Sequence, residues 1–186
     1  SCAPTADQAV KQPFVIPLSM GLVSASGQDL PLQLAHWAQP EGGNRTFVLT
    51  QAEETLTFIH VNEEPVPSVL RGFSAPVVLE MDYTRQQLLT LLANDSDPFN
   101  RWEAGQRLAL RCAIKLIAGH ADLTGAIVLN DAYIVAMRSV LRHPTLDAAF
   151  KELVLTLPSE TYIAEQLDVV DPQRIHTVRE AMRAQL

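Results

Sequence analysis

Proline and glycine are distributed unevenly along this chain, and that limits its fold more than any other feature. Of 12 prolines, 8 fall in residues 1–80, as do 5 of the 8 glycines. The rest of the chain keeps only Pro98, Pro144, Pro158 and Pro172. Dense Pro and Gly between short apolar runs predict strands and tight turns, whereas sparse, spaced prolines predict helices punctuated at their ends. We therefore place a boundary near residue 82, with a β domain over 1–82 and an α-helical domain over 83–186. A chain of 186 residues, 47% hydrophobic, is long enough for two small cores and too apolar for disorder.

The first part alternates with period two. Phe14, Ile16, Leu18, Met20 and Leu22 would share one face of a strand. Pro17 pushes that strand toward an edge or a bulge. Residues 24–29, with Gly27, read as a hairpin turn, and Leu30, Leu32 and Leu34 as the returning strand. Residues 47–49 and 56–59 read as two more short strands, and Val77, Leu79, Met81 and Tyr83 as the last. Strands this short, separated by polar turns, predict an antiparallel β-sandwich.

The second part has the helical period. Thr84 and Gln87 fit a capping box ahead of a short helix through about Ala93. Asp97-Pro98 places an acid cap before a first-turn proline. Behind it Trp102, Gly105, Ala109, Cys112 and Leu116 mark one face of a helix ending near Gly119. A third helix is expected over about 126–142. Asp147 would open a fourth, which must stop at Pro158, and Ser159 a fifth. Asp171-Pro172 repeats the acid-proline device before a last helix lined by Ile175, Val178, Met182 and Leu186. The short connections predict antiparallel neighbours.

Little in the sequence carries chemistry. The five histidines, His36, His60, His120, His143 and His176, contain no pair at four-residue spacing, and no H-E-x-x-H motif occurs. Gly72-Phe73-Ser74-Ala75-Pro76 is half of a nucleophile elbow with proline in place of the closing glycine, so Ser74 reads as a linker residue. Cys112 lies on an apolar helix face and reads as a core thiol, while Cys2 is expected near the surface. Glu53-Glu54 and Glu63-Glu64 are adjacent acids on turns or strand edges, poorly placed to share a proton. We thus assign no catalytic, cofactor-binding or metal-binding residue. A net charge of -7 argues against nucleic acid as a partner. No apolar run is long enough to span a membrane. The start shows no signal-peptide pattern, so a cytoplasmic location is expected.

One set of motifs is far more specific. Pro65-Val66-Pro67-Ser68 leads into Leu70-Arg71-Gly72-Phe73-Ser74-Ala75-Pro76-Val77. Asp95-Ser96-Asp97-Pro98-Phe99-Asn100-Arg101-Trp102-Glu103-Ala104-Gly105-Gln106 follows. These segments closely resemble the C-terminal region of the bacterial aminopeptidase N family, zinc-dependent alanyl aminopeptidases of the gluzincin type. Lys11-Gln12-Pro13-Phe14, Thr50-Gln51-Ala52-Glu53, Leu155-Thr156-Leu157-Pro158-Ser159-Glu160 and Val170-Asp171-Pro172 extend the resemblance over the whole chain.

The resemblance implies an α+β multidomain class. A partial immunoglobulin-like antiparallel β-sandwich, lacking one or two N-terminal strands, would be followed by the first part of an all-α antiparallel helical domain. In that family a zinc held by H-E-x-x-H and a distant Glu activates water to remove N-terminal amino acids from peptides. None of those motifs is present here, so no catalytic or zinc residue carries over, and the chain alone is expected to be inactive. The implied role is to space and help enclose the parent's catalytic domain, which would be its partner, with peptides as the parent's substrates. The alternatives are an independent protein-interaction module and, more remotely, a hydrolase using Ser74 or Cys112. Open sandwich edges would favour self-association. Phe99 and Trp102 are expected to anchor the first long helix, with about 3–5 kcal/mol lost when Trp102 is replaced by Ala.

Overall fold

Strand pairing in the first part converges on a single segment. In the computed structural model, which describes residues 4–119, 123, 126 and 128–186, strand β1 (Ile16–Val23) pairs antiparallel with three others. Its last two residues meet β2 (Asp29–Leu30), with Leu22 opposite Leu30. Its first five meet β3 (Arg45–Leu49), from Ile16 opposite Leu49 to Met20 opposite Arg45. Its last four also meet β4 (Val66–Val69), with Leu22 opposite Pro67. The chain divides into two units, Ser1–Met81 and Asp82–Leu186, each with its own core.

The alternation of β1 explains the first core. Met20 and Leu22 are buried together with Leu32, Leu34 and Phe47, and Leu18, Leu30, Trp37, Leu56, Phe58 and Val61 pack against them. Trp37 stacks on Phe47 at 6.1 Å, and Phe58 meets Phe47 edge-on at 6.0 Å. Such aromatic pairs add to the burial term. Leu34 and Phe58 form a bridge, fixed by Ala35 N–H donating to Thr57 O (3.1 Å) and Ile59 N–H to Gln33 O (2.9 Å). Pro17 sits opposite Val48, in the stretch of β1 that β4 does not reach. There the missing N–H can face the unpaired edge. The 24–29 turn forms as expected: Ser24 N–H donates to Gln28 O (2.8 Å), and Gly27 takes a φ of 85°.

Several expected strands are shorter than predicted. Phe14 lies outside β1 and is 58% exposed, because the register with β3 ends at Ile16. Pro31 interrupts the returning strand, so Leu32 and Leu34 make single bridges, to Glu41 and Phe58. Residues 56–59 likewise contribute one bridge, at Phe58. Residues 77–83 form no strand, although their alternation suggested one. Conversely, β4 leaves no strand signal in the sequence, since Pro65 and Pro67 interrupt its apolar residues. Among the described strands β4 pairs with β1, where Pro67 stands opposite Leu22.

The second unit contains α1 (Arg85–Asn94), α2 (Pro98–Gly119), α3 (Asp131–Arg142), α4 (Ala148–Leu155), α5 (Glu160–Ala164) and α6 (Pro172–Arg183). Their starts follow from caps written in the sequence. Thr84 and Gln87 make the full capping box. The Oδ1 atoms of Asp97, Asp147 and Asp171 accept from the N–H groups of Asn100 (2.9 Å), Phe150 (2.9 Å) and Arg174 (3.0 Å). Ser159 Oγ accepts from Tyr162 N–H at 3.1 Å. Each cap satisfies an orphan donor of the first helical turn. The third helix begins at Asp131 rather than near 126, because Asn130 caps it, its Oδ1 accepting from Ala132 N–H at 2.9 Å.

Helix α2 runs through the middle of this unit, packed on α1, α4, α5 and α6. Its buried stripe comprises Asn100, Arg101, Ala104, Gly105, Leu108, Ala109, Ala113 and Ile117. The expected face is therefore rotated: Gly105 and Ala109 are buried, while Trp102, Cys112 and Leu116 are half-buried. Small residues on this stripe let neighbours approach closely. A Cβ placed on Gly105 would meet Leu92 Cδ1 of α1 at 3.2 Å and Met137 Cε of α3 at 3.5 Å. In α6, Ile175, Val178 and Met182 are buried as expected, but Leu186 lies beyond the helix and is 43% exposed.

Candidate functional site

The two longest sequence motifs each bury an arginine. In the first, Leu70, Gly72 and Phe73 all take the left-handed backbone conformation, with φ of 60°, 61° and 53°. Two of the three are bulky residues for which that region is costly. The turn drives Arg71, 4% exposed, back into the sheet. Its Nε donates to Ser68 Oγ (2.8 Å), its Nη2 to Asp29 Oδ1 (2.6 Å), and its Nη1 to Asp29 Oδ2 and Gly43 O (both 3.2 Å). One guanidinium thus ties β2, β4 and the loop before β3. Gly21 of β1 provides the space, since a Cβ there would lie 2.3 Å from Arg71 Nη1.

In the second motif, Arg101 is also 4% exposed and closes the end of α1. Its Nη2 and Nε donate to Asp95 O (2.7 and 3.1 Å), and its Nη1 to Ala93 O (3.0 Å). These are carbonyls that a helix end leaves without partners. Burial lowers the Arg101 pKa, and the Asp95 charge opposes that shift. Both arginines thus hold neighbouring segments in place.

The residues tested for chemistry are dispersed. Ser74 Oγ accepts from Ser19 N–H at 2.9 Å, fastening the turn to β1. His36 lies edge-on to Trp37. His60 is exposed in a left-handed conformation, His143 ends α3, and His176 Nδ1 pairs with Glu160 Oε1 at 2.8 Å. Cys2 and His120 fall outside the described residues. Glu54 accepts the backbone N–H groups of Thr50 and Gln51, and these bonds lower its pKa. Glu63 accepts from Ala25 N–H at 3.0 Å. Each acid closes a turn separately. Among the described residues, no three His, Cys, Asp or Glu side chains come together as metal ligands.

A cavity of 570 Å³ lies in the helical unit, between α2 and the start of α3. Its walls are largely apolar, formed by Leu108, Leu116, Val128 and Leu129, with Arg85, Arg111 and Lys115 beside them. Cys112 lines it too, its thiol donating to Val128 O at 3.4 Å. Burial raises the thiol pKa, and the charges of Arg85 and Lys115 only partly offset this, so the group stays a thiol near neutrality. Tyr133, buried at 5% exposure, completes the wall, and its phenol pKa is pushed upward by burial. Sequence reasoning missed this site. Its available signal was the basic pair Arg111 and Lys115 flanking Cys112, one helical turn apart on α2.

An Ig-like β domain precedes a capped helical array, and comparison with known proteins agrees. Residues 1–82 match a family model described as a domain of unknown function (DUF3458) with an Ig-like fold. Residues 85–186 match one described as a domain of unknown function (DUF3458_C), ARM repeats, and the chain belongs to this family. The chain is homologous to the C-terminal region of aminopeptidase N. It is 40% identical over 185 residues to aminopeptidase N of Escherichia coli (strain K12), covering 96% of this chain and 20% of that protein. It is 38% identical over 139 residues to aminopeptidase N of Caulobacter vibrioides, covering 75% and 16%. With aminopeptidase N of Haemophilus influenzae it shares 33% identity over 190 residues, covering 100% and 21%. A crystal structure of Legionella pneumophila aminopeptidase A in complex with aspartic acid superposes with a TM-score of 0.67 at 25% identity, covering 90% of this chain and 18% of that one. The chain spans about a fifth of the length of these curated relatives.

Proposed function

We propose that this chain is a non-catalytic part of a zinc aminopeptidase that removes N-terminal amino acids from peptides. Its Ig-like unit would space the catalytic domain, and its helical unit would help enclose the cleft. The observation that carries this reading is identity of 33% to 40% to aminopeptidase N relatives over nearly the whole chain. The use made of the longest shared-looking motifs supports it: Arg71 and Arg101 are spent on rigidity. The described residues bring no metal-ligating group together, so they do not fit a zinc site. The zinc and the peptidase chemistry are therefore proposed for the rest of the parent, whose catalytic domain is the proposed partner. A cytoplasmic location belongs to the same proposal.

The test is complementation. The chain alone should not hydrolyse alanine p-nitroanilide. Adding the separately produced remainder of the parent should give hydrolysis of peptide substrates that neither part shows alone. A remainder with full peptidase activity and unchanged substrate size limits would overturn the role, and so would anilide hydrolysis by the chain itself.

A further inference from the structure

The cavity between α2 and α3 combines four features that its structural surroundings do not use up. Its volume, 570 Å³, lies within the range of about 300–1,000 Å³ common for small-molecule sites. Arg85 and Lys115 line it and make no ion pair or hydrogen bond among the described residues. Arg111 commits only its Nη1, to Tyr83 O at 2.8 Å. Tyr133 as a residue is only 5% exposed, yet its hydroxyl is not one of the sealed, unpartnered polar atoms and keeps access to the cavity. A hydroxyl at the cavity surface can donate to a molecule held there.

The charge pattern identifies the ligand class. The chain carries a net charge of -7, yet among the described residues three cations line this cavity against a single acid, Asp131. A focused positive patch on an acidic protein selects anions. Leu108, Leu129 and the ring of Tyr133 require an apolar body on the ligand. Asp131, at the first turn of α3, disfavours a multiply charged head such as a phosphate.

We propose that this cavity binds a small carboxylate with an apolar side chain, either free or as the C-terminus of a peptide. The carboxylate sits against Arg85 and Lys115 and accepts the Tyr133 hydroxyl, and the side chain lies on the leucine wall. This site belongs to the helical unit itself and needs no peptidase activity.

Calorimetric titration of the protein with N-acetyl-leucine and with the dipeptide alanyl-leucine tests it, each paired with its C-terminal amide. The two acids separate a free carboxylate from a peptide terminus. At least one acid should bind saturably, and its amide about tenfold more weakly, the loss expected for one charge-assisted contact. Joint replacement Arg85→Gln and Lys115→Gln, both at exposed side chains, should weaken the acid by about tenfold or more. Tyr133→Phe keeps the packing and should weaken it by about tenfold, the loss of one hydrogen bond to a charged group. Amide NMR shifts should move at Lys115, Leu129 and Tyr133. Equal binding of acid and amide, no binding of either acid, an unchanged affinity in the double variant, or shifts confined to other residues would each overturn the proposal.

Discussion

Arg71 shows how much one side chain can organise. It is buried, paired with Asp29 in two-pronged geometry, and hydrogen-bonded to Ser68 and Gly43. Removing one member of a buried pair leaves the other charge uncompensated, at a cost of about 3–5 kcal/mol. Arg71→Ala should therefore lower stability in urea by that order, and Arg71→Lys should recover little, because an ammonium cannot reproduce the fork. An Arg71→Lys variant as stable as the parent chain would refute the clamp. Trp102 differs: it is half-buried and tilted against Phe99 at 5.5 Å. Trp102→Ala should cost only about 1–2 kcal/mol, below the range for a fully buried aromatic, readable as a melting-temperature shift.

Tyr83 gives a signed pH prediction at the same scale. Burial raises its pKa from 10.0 to about 12, and the nearby Arg107 opposes the shift. An acid raised on folding ionises first in the unfolded chain, so the unfolded state releases its proton earlier as pH rises. The contribution is fully present below pH 10 and is lost as pH rises through about 12. Denaturant midpoints should hold steady to about pH 9 and then fall, less so in Tyr83→Phe, which has no proton to lose.

Among the elements, helix starts were legible and strands were not. Thr84, Asp97, Asp147, Ser159 and Asp171 all cap as the sequence suggested, because a cap is a local bond between residues three apart. Asn130 also caps, through the Ala132 N–H two residues on, but the apolar run before it reads as an extension of the third helix. Strands depend on distant partners. Alternation at 77–83 met none, while β4, with Pro67 inside it, found β1 across more than forty residues. The cavity was illegible for a similar reason: Arg85, Lys115 and Tyr133 come from three different helices. The helix crossing at Gly105 makes a graded prediction. Gly105→Ala should be close to neutral, because its tightest contact is the side-chain end of Leu92 at 3.2 Å, with Met137 at an ordinary 3.5 Å, and alanine favours the helix by about 1 kcal/mol. Gly105→Leu should lose about 1–3 kcal/mol by overpacking, measurable by thermal unfolding.

At the scale of the whole molecule, the chain is two units with separate cores. Residues 82–186 contain the six α-helices of the described residues and the contacts of Arg101, and no helix among the described residues is long and apolar enough to cross a membrane. Expressed alone, this segment should keep its helical circular dichroism and a cooperative melt. A molten, non-cooperative segment would mean that its core depends on the first unit.

The central position of β1 also sets an order of events in time. Its partners lie progressively farther along the chain, and the last, Val69, pairs with Met20. A ribosome must therefore release β4 before the sheet can close, and until then one edge of β1 presents unpaired backbone N–H and C=O groups. The helical unit has strong contacts between sequence neighbours, α1 with α2 and α5 with α6, and local contacts of this kind speed folding. The β unit is thus the slower half and the one open to aggregation during synthesis.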